Sequence, residues 1–438
     1  MNEQIIPIFM FVLLTVTVVL GIPIAFATGI VALVFAYILW GSSSVFALLT
    51  ATAGVMNNWT LLAVPLFTLM SMVLYKCGIV EDLYDTFYKW TGFLRGGLAV
   101  ASIVVGALMG AMTGVVAGSV VALGKIALPQ MLKYKYNKEI SMGAILSGGT
   151  LGQLIPPSTL MIIYGSITGV SVGGLFAGGI ACGFILAAIY SSYVLIKSYL
   201  QKDLCPGLPP EETVTWKEKF ESLKGVLLPL FVIISVLGSI FSGIATPTEA
   251  AAVGAVGAIL CALVKKSLKL KPIREAFLET LRITAMVGWI TIGALYFGQV
   301  FTALGGDKFI MKLTTIIPLG NWGIMAVFMV LLYLLGMFLD TVAIVVICAP
   351  LFAPIAIKLG FDPLWFGLIF MVNLQAAYLT PPFGYSLFYL KGVTPENISL
   401  GDIYRSAIPF VALQIMGLAL FILFPKLVLF LPNILFAR

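Results

Sequence analysis

Histidine is absent from the 438-residue sequence. With it go the commonest general base, the commonest metal ligand and any serine–histidine pair. Charge is scarce as well: only 10% of residues are charged while 61% are hydrophobic, and the mean hydropathy is +1.11. A water-facing globule of this composition lacks the polar surface to cover itself, so the expected solvent is a lipid bilayer. The five cysteines, Cys77, Cys182, Cys205, Cys261 and Cys348, are scattered without C-x-x-C spacing. A disulfide or metal framework therefore has no support, and small buried hydrophobes are expected. No separate soluble domain or long disordered tail is evident. The first apolar run, residues 5–20, has neither a basic leader nor a small-residue cleavage site and reads as a retained helix. The net charge of +7 could suggest nucleic acid, but in a membrane protein it more simply reports cytoplasmic loops. No nucleic-acid partner is expected.

What is present is a duplication. Two prolines stand together near the end of each half, in Gln153-Leu154-Ile155-Pro156-Pro157-Ser158 and Tyr378-Leu379-Thr380-Pro381-Pro382-Phe383. The context before them aligns at nearly the same offset: Pro129 answers Pro354, residues 90–97 resemble 319–323, and Gly21-Ile22-Pro23 answers 243–247. The halves are roughly 1–200 and 223–432. Each reads as three apolar segments, an amphipathic stretch, a long glycine-containing apolar segment, a segment broken at the double proline, and a last helix. In the first half these are 5–20, 24–40, 45–75, 79–90, 96–132, 140–168 and 175–200. In the second they are 225–241, 250–264, 277–304, 308–317, 322–357, 364–390 and 407–431.

Segments 96–132 and 322–357 are too long for one crossing, because about 36 residues of helix extend ~54 Å against a hydrocarbon core of ~30 Å. Each is expected to fold back as a re-entrant hairpin, turning at Gly110-Ala111-Met112-Thr113-Gly114 and at Gly336-Met337-Phe338-Leu339-Asp340-Thr341. With the hairpins counted as non-crossing, lysine and arginine collect on one side, in loops around Lys76 to Arg95, Lys133 to Lys138, Lys197 to Lys224, Lys265 to Arg282, and at Lys391 and Arg405. That side is assigned to the cytoplasm and both termini to the opposite side. The halves are then inverted relative to each other, with about ten full crossings. The expected fold class is an all-α integral membrane protein of inverted repeats with two re-entrant hairpins. Residues 1–92 are read as scaffold helices and a first arm, 93–170 as the first half of a transport domain, and 171–318 as scaffold, inter-repeat loop and second arm. Residues 319–391 are read as the second half of the transport domain and 392–438 as a final scaffold helix.

Inverted repeats with interrupted helices point to a secondary transporter whose site lies near the bilayer midplane. Unwound backbone in lipid costs several kcal/mol per unpaired group unless it lines a cavity or binds something. Proline cannot donate a backbone hydrogen bond, so carbonyls one turn before each double proline are left free. Free carbonyls and hydroxyls suit a hard cation such as sodium. The first tip facing the first break supplies Thr113, Gly114, Ser119, Gly149, Thr150, Gly152 and Pro156; the second pair supplies Gly336, Asp340, Thr341, Ala376, Thr380 and Pro381. The competing reading of such breaks is a kink that permits close packing. Asp340 stands in the middle of the apolar run 331–346, where an acid costs roughly 2.5 to 3.5 kcal/mol and usually marks an ion or proton path. Its competing role, compatible with the first, is to cap the second hairpin leg. Gln153, Ser158, Asn373, Gln375 and Tyr378 are candidates for polar contacts to substrate. No other cofactor is expected.

Several weaker matches carry nothing. Residues 118–125 imitate a phosphate loop with one residue too many and Ile126 where a hydroxyl belongs. Gly148-Gly149-Thr150-Leu151-Gly152 follows no strand, and Asn58-Trp59-Thr60 is a formal glycosylation sequon only. The amphipathic stretches 79–90 and 308–317 read as helices lying on the membrane surface. An intramembrane aspartyl protease needs two opposed acids, and only Asp340 lies deep, so no enzyme is expected.

Taken together, Ala111-Met112-Thr113-Gly114, Gly149 to Ser158, Gly336-Met337-Phe338-Leu339-Asp340 and Thr380-Pro381-Pro382-Phe383-Gly384 resemble the large membrane subunit of tripartite ATP-independent periplasmic (TRAP) transporters. The resemblance covers essentially the whole chain. It implies an elevator mechanism coupled to sodium entry, a bacterial inner-membrane location, and two partners: a separate small four-helix membrane subunit and a periplasmic substrate-binding protein. It also implies a small organic anion, mostly carboxylates, as substrate. Many members have a serine-rich first tip, whereas this one reads Met112-Thr113-Gly114-Val115-Val116-Ala117-Gly118-Ser119, which weakens the case for side-chain ligands there. The rival reading is a stand-alone carboxylate or inorganic-anion carrier needing no binding protein.

Overall fold

A computed structural model describes residues 5–113, 116–209, 214–306 and 320–436. Among the described residues every regular element is helical. The first half contains α1 (Ile5–Val19), α2 (Ile24–Trp40), α3 (Ser43–Met56), a 3₁₀ turn (Trp59–Leu62), α4 (Ala63–Lys76) and α5 (Ile79–Thr91). It continues through α6 (Gly97–Thr113), α7 (Val116–Lys133), α8 (Lys138–Thr150), α9 (Thr159–Thr168) and α10 (Val172–Leu200). The second half contains α11 (Trp216–Phe241), α12 (Pro247–Val264), α13 (Leu270–Ala303), α14 (Gly320–Phe338) and α15 (Thr341–Lys358). It ends with α16 (Pro363–Leu379), α17 (Tyr385–Lys391), α18 (Leu400–Leu423) and α19 (Pro425–Phe436).

Eight helical stretches among the described residues are long and apolar enough to cross a bilayer, and further apolar helices, α2 and α16 among them, are shorter. Large apolar side chains such as Phe46, Phe231, Trp289 and Phe430 remain exposed on the flanks, as lipid-facing surface requires. All five cysteines are free and buried, consistent with the hydrophobic role expected of them.

The segment read as continuous from 45 to 75 is divided. Helix α3 ends at Asn57, and the Asn58 carboxamide accepts from the backbone N–H groups of Thr60 and Leu61 at 3.0 and 3.3 Å. Asparagine competes with the helix for its own backbone in this way, and two in succession stop it. The last segment is divided as well, because Pro425 opens α19 after Phe424 leaves helical geometry. Helix α11 begins earlier than the apolar run, at a Thr215–Glu218 capping box. The first amphipathic stretch is α5; the second, 308–317, lies outside the described residues.

The two halves interlock by exchange. Helix α2 packs on α13 as α4 packs on α12, α6 on α8 as α14 on α16, α7 on α17 as α15 on α9, and α8 on α18 as α16 on α10. Each pair becomes the other when the repeats are swapped, which is the pattern of a two-fold relation. Elements that contact their own counterparts, α4 with α13, α8 with α16 and α10 with α18, lie along that relation.

Candidate functional site

Both predicted breaks exist. Helix α8 ends at Thr150, tightens into a 3₁₀ turn over Leu151–Gln153, and the chain resumes helix only at Thr159. Helix α16 stays regular through Leu379, and helix returns at Tyr385. A cis bond joins the two prolines in each break. The carbonyls orphaned by the second proline of each pair are taken by serine hydroxyls: Ser158 Oγ donates to the Gln153 carbonyl at 2.7 Å, and Ser386 Oγ to the Tyr378 carbonyl at 2.6 Å.

The first tip meets the first break backbone to backbone. A Cβ added at Gly110 would lie 1.8 Å from the Gly152 Cα, and one at Gly106 would lie 2.4 Å from the Gly148 carbonyl carbon. Gly110, which looked like a turn residue, is therefore a contact residue like Gly106, each allowing α6 to lie directly on α8. On the other leg, Gly149 abuts Val120 of α7, and Ser119 is fully buried. Thr113 closes α6, while Gly114 lies outside the described residues.

At the second tip, Asp340 is the N-cap of α15, accepting from the Val342 N–H at 2.9 Å, and the Tyr378 hydroxyl donates to its other oxygen at 3.5 Å. Gly336 fits against Ala377, where an added Cβ would sit 2.5 Å from the alanine methyl. The hydroxyls of Thr380 and Tyr333 lie 2.7 Å apart, with Thr380 Oγ1 also donating to the Ala376 carbonyl. Tyr385 stacks on Tyr378 with ring centroids 5.5 Å apart and reaches the Phe338 carbonyl at 3.4 Å. Thr341 is buried beside its cap.

Candidates for substrate contact separate by what they already bind. Asn373 Nδ2 donates to the Met329 carbonyl at 2.8 Å, which ties α16 to α14. Gln375 bonds to Thr150 and Gln414, Tyr378 to Asp340, and Ser158 to its own break. Gln153 is different: its Oε1 is buried without a partner, an acceptor open to a donor or a cation. Pro156 and Pro381 lie in the breaks as expected. Tyr333, Ser386 and Gln414 were missed from the sequence. Gln414 had a usable signal, since like Asp340 it interrupts an apolar run; Ser386 and Tyr333 had none.

Asn373→Leu removes the bond that ties α16 to α14 while the Met329 carbonyl stays paired within its own helix, so this variant loses about 1 kcal/mol. The measurement is the thermal unfolding temperature in detergent, expected to fall by several degrees relative to wild type.

Residues 11–427 match the family described as "Tripartite ATP-independent periplasmic transporter, DctM component". This chain belongs to that family. A Pseudomonas aeruginosa protein, the C4-dicarboxylate TRAP transporter large permease protein DctM, is 34% identical over 86% of this chain and 87% of its own. The ectoine TRAP transporter large permease protein TeaC of Halomonas elongata is 31% identical over 86% and 87%. The sialic acid TRAP transporter large permease protein SiaM of Vibrio cholerae is 30% identical over 94% and 95%. Among solved structures, Neisseria gonorrhoeae MtrF superposes with a TM-score of 0.60 at 14% identity, covering 87% of this chain and 85% of its own. The Alcanivorax borkumensis YdaH transporter gives 0.57 at 13%, covering 88% and 89%. These two likenesses concern the fold. The TRAP permease is thus a multi-pass membrane transporter subunit with an inverted-repeat architecture, not a member of an enzyme family.

Proposed function

We propose that this TRAP permease drives sodium-coupled uptake of a small organic anion across the bacterial inner membrane, with both termini on the periplasmic side. The observation that carries this reading is the mirrored pairing of tip and break. In each half a hairpin end lies against the C-terminal end of a half-helix, where the negative pole of the helix favours a cation, although the carbonyls expected to be free there, those of Gln153 and Tyr378, are held by Ser158 and Ser386. Gln153 Oε1 beside the first break and Asp340 beside the second add oxygen donors. Sodium is assigned over a transition metal because the donors are hard oxygens. The substrate class follows the relatives, two of which are named for a carboxylate-bearing anion, a C4-dicarboxylate and sialic acid. A small membrane subunit and a periplasmic binding protein complete the system, as the family implies.

Movement is proposed as an elevator in which 93–170 and 319–391 travel against the scaffold of 1–92 and 171–318, with 392–438 closing it. Helices α10 and α18 are exceptions to those bounds: α10 packs on α16 and α18 on α8, which supports counting α10 and α18 with the moving part. The test is reconstitution with the binding protein and small subunit in vesicles, followed by uptake with and without an inward sodium gradient. Accumulation only with the gradient supports the reading. Equal uptake under a proton gradient alone overturns sodium coupling, and full uptake without the binding protein favours a stand-alone carrier.

A further inference from the structure

A buried polar chain runs across the junction of the two repeats. The Tyr190 hydroxyl of α10 donates to Gln414 Oε1 of α18. Gln414 Nε2 donates to the Val372 carbonyl and to Gln375 Oε1, both at 3.1 Å. Gln375 Nε2 donates to Thr150 Oγ1 at 3.4 Å, and Thr150 Oγ1 donates to the Ser147 carbonyl at 3.0 Å. Tyr190, Gln414, Gln375 and Thr150 are all fully buried. Every donor points the same way, so each bond polarises the next.

The placement follows the repeat. The double prolines begin at 156 and 381, an offset of 225, and the same offset carries Thr150 onto Gln375. The equivalent residue of each half therefore touches the other, at the last residue of α8 and about one turn before the end of α16. Thr150 lies two residues before Gly152, which is stacked on the first tip; Gln375 lies two before Ala377, which is stacked on the second. Along this chain the Gln375–Thr150 bond is the longest and the only one that crosses between the two breaks. Gln414 and Tyr190 hold the Gln375 carboxamide in the orientation that makes that bond.

We propose that Tyr190 and Gln414 are positioning residues that couple the two breaks, so that a cation settling at one favours occupation of the other. This rests on the sodium-coupled reading above. When a cation draws the first break into order, the α8 terminus shifts, and the Gln375 bond passes that shift to the second break. A buried polar group left unpaired is costly, so the two ends move together.

The experiment measures the sodium dependence of uptake in vesicles holding the complete transporter, for wild type, Tyr190→Phe and Gln414→Leu, with unfolding temperature recorded in parallel. The wild-type response is expected to be sigmoidal with a Hill coefficient of about two, as two interacting sites allow. Gln414→Leu is expected to flatten it toward one and raise the half-saturating sodium concentration, with Tyr190→Phe moving the same way by less. Tyr190→Phe removes one hydroxyl without changing ring shape, so it reports even where Gln414→Leu fails to fold. A purely structural role lowers unfolding temperature and maximal rate but leaves the slope alone, and that result overturns the proposal. A wild-type response to sodium that is already hyperbolic also overturns it. A wild type indifferent to sodium overturns the proposed function itself, and the coupling with it.

Discussion

Asp340→Ala is expected to abolish sodium-driven uptake in a protein that still inserts in the membrane. Two roles converge on this side chain, and the variant removes both: the cap on the Val342 N–H at the start of α15 and the negative oxygen beside the second break. Losing a cap costs about 1 kcal/mol, which a protein of this size tolerates. Losing the charge removes the one acid that the second tip offers to a cation. Asp340→Asn separates the two, since asparagine caps as well as aspartate but carries no charge. Its unfolding temperature is expected to stay near wild type while uptake is lost as fully as in Asp340→Ala. Uptake retained by Asp340→Asn would leave only the capping role. Tyr378→Phe, which removes the hydroxyl that orients the carboxylate, is expected to raise half-saturating sodium by about 10-fold, as outer partners of an ion site commonly do.

The second large effect is expected at the glycine stack. In Gly110→Ala the new methyl carbon falls 1.8 Å from the Gly152 Cα, and in Gly152→Ala it falls 2.4 Å from the Gly110 Cα. Both obstacles are backbone, so no side chain can swing aside. The first hairpin must lift off α8, at a cost at or above the upper end of the roughly 1–3 kcal/mol typical of overpacking. Uptake is expected to be lost and unfolding temperature in detergent to fall. Gly238→Ala on the exposed face of α11 meets nothing within 4 Å; there a gain of up to about 1 kcal/mol in helix propensity is expected. If Gly110→Ala matched Gly238→Ala in both assays, the close approach of α6 and α8 would be wrong.

Those glycines show how far sequence reasoning reached. Length and glycine content were enough to predict that 96–132 folds back, because a helix longer than the bilayer must turn or leave it. Gly110 was still misjudged as turn material, and Gly106 was given no role. Their purpose is visible only when Gly148 and Gly152, some forty positions away, are seen to lie on them.

Composition and pattern alone determined that the chain lives in lipid, that it is duplicated, and that its helices break at Pro156-Pro157 and Pro381-Pro382. Those properties depend on local chemistry: hydropathy per residue, the missing N–H of proline, and repeat spacing. Only the tertiary structure decided which polar side chains remain open. Asn373, Gln375 and Gln153 are indistinguishable as amides or buried polar groups in an apolar sequence. The first is committed to Met329 and the second to Thr150 and Gln414, leaving Gln153 Oε1 as the unpartnered acceptor of the three. A hydrogen bond needs its partner within about 3 Å, and which helices come that close is settled by packing between repeats, not by neighbours along the chain.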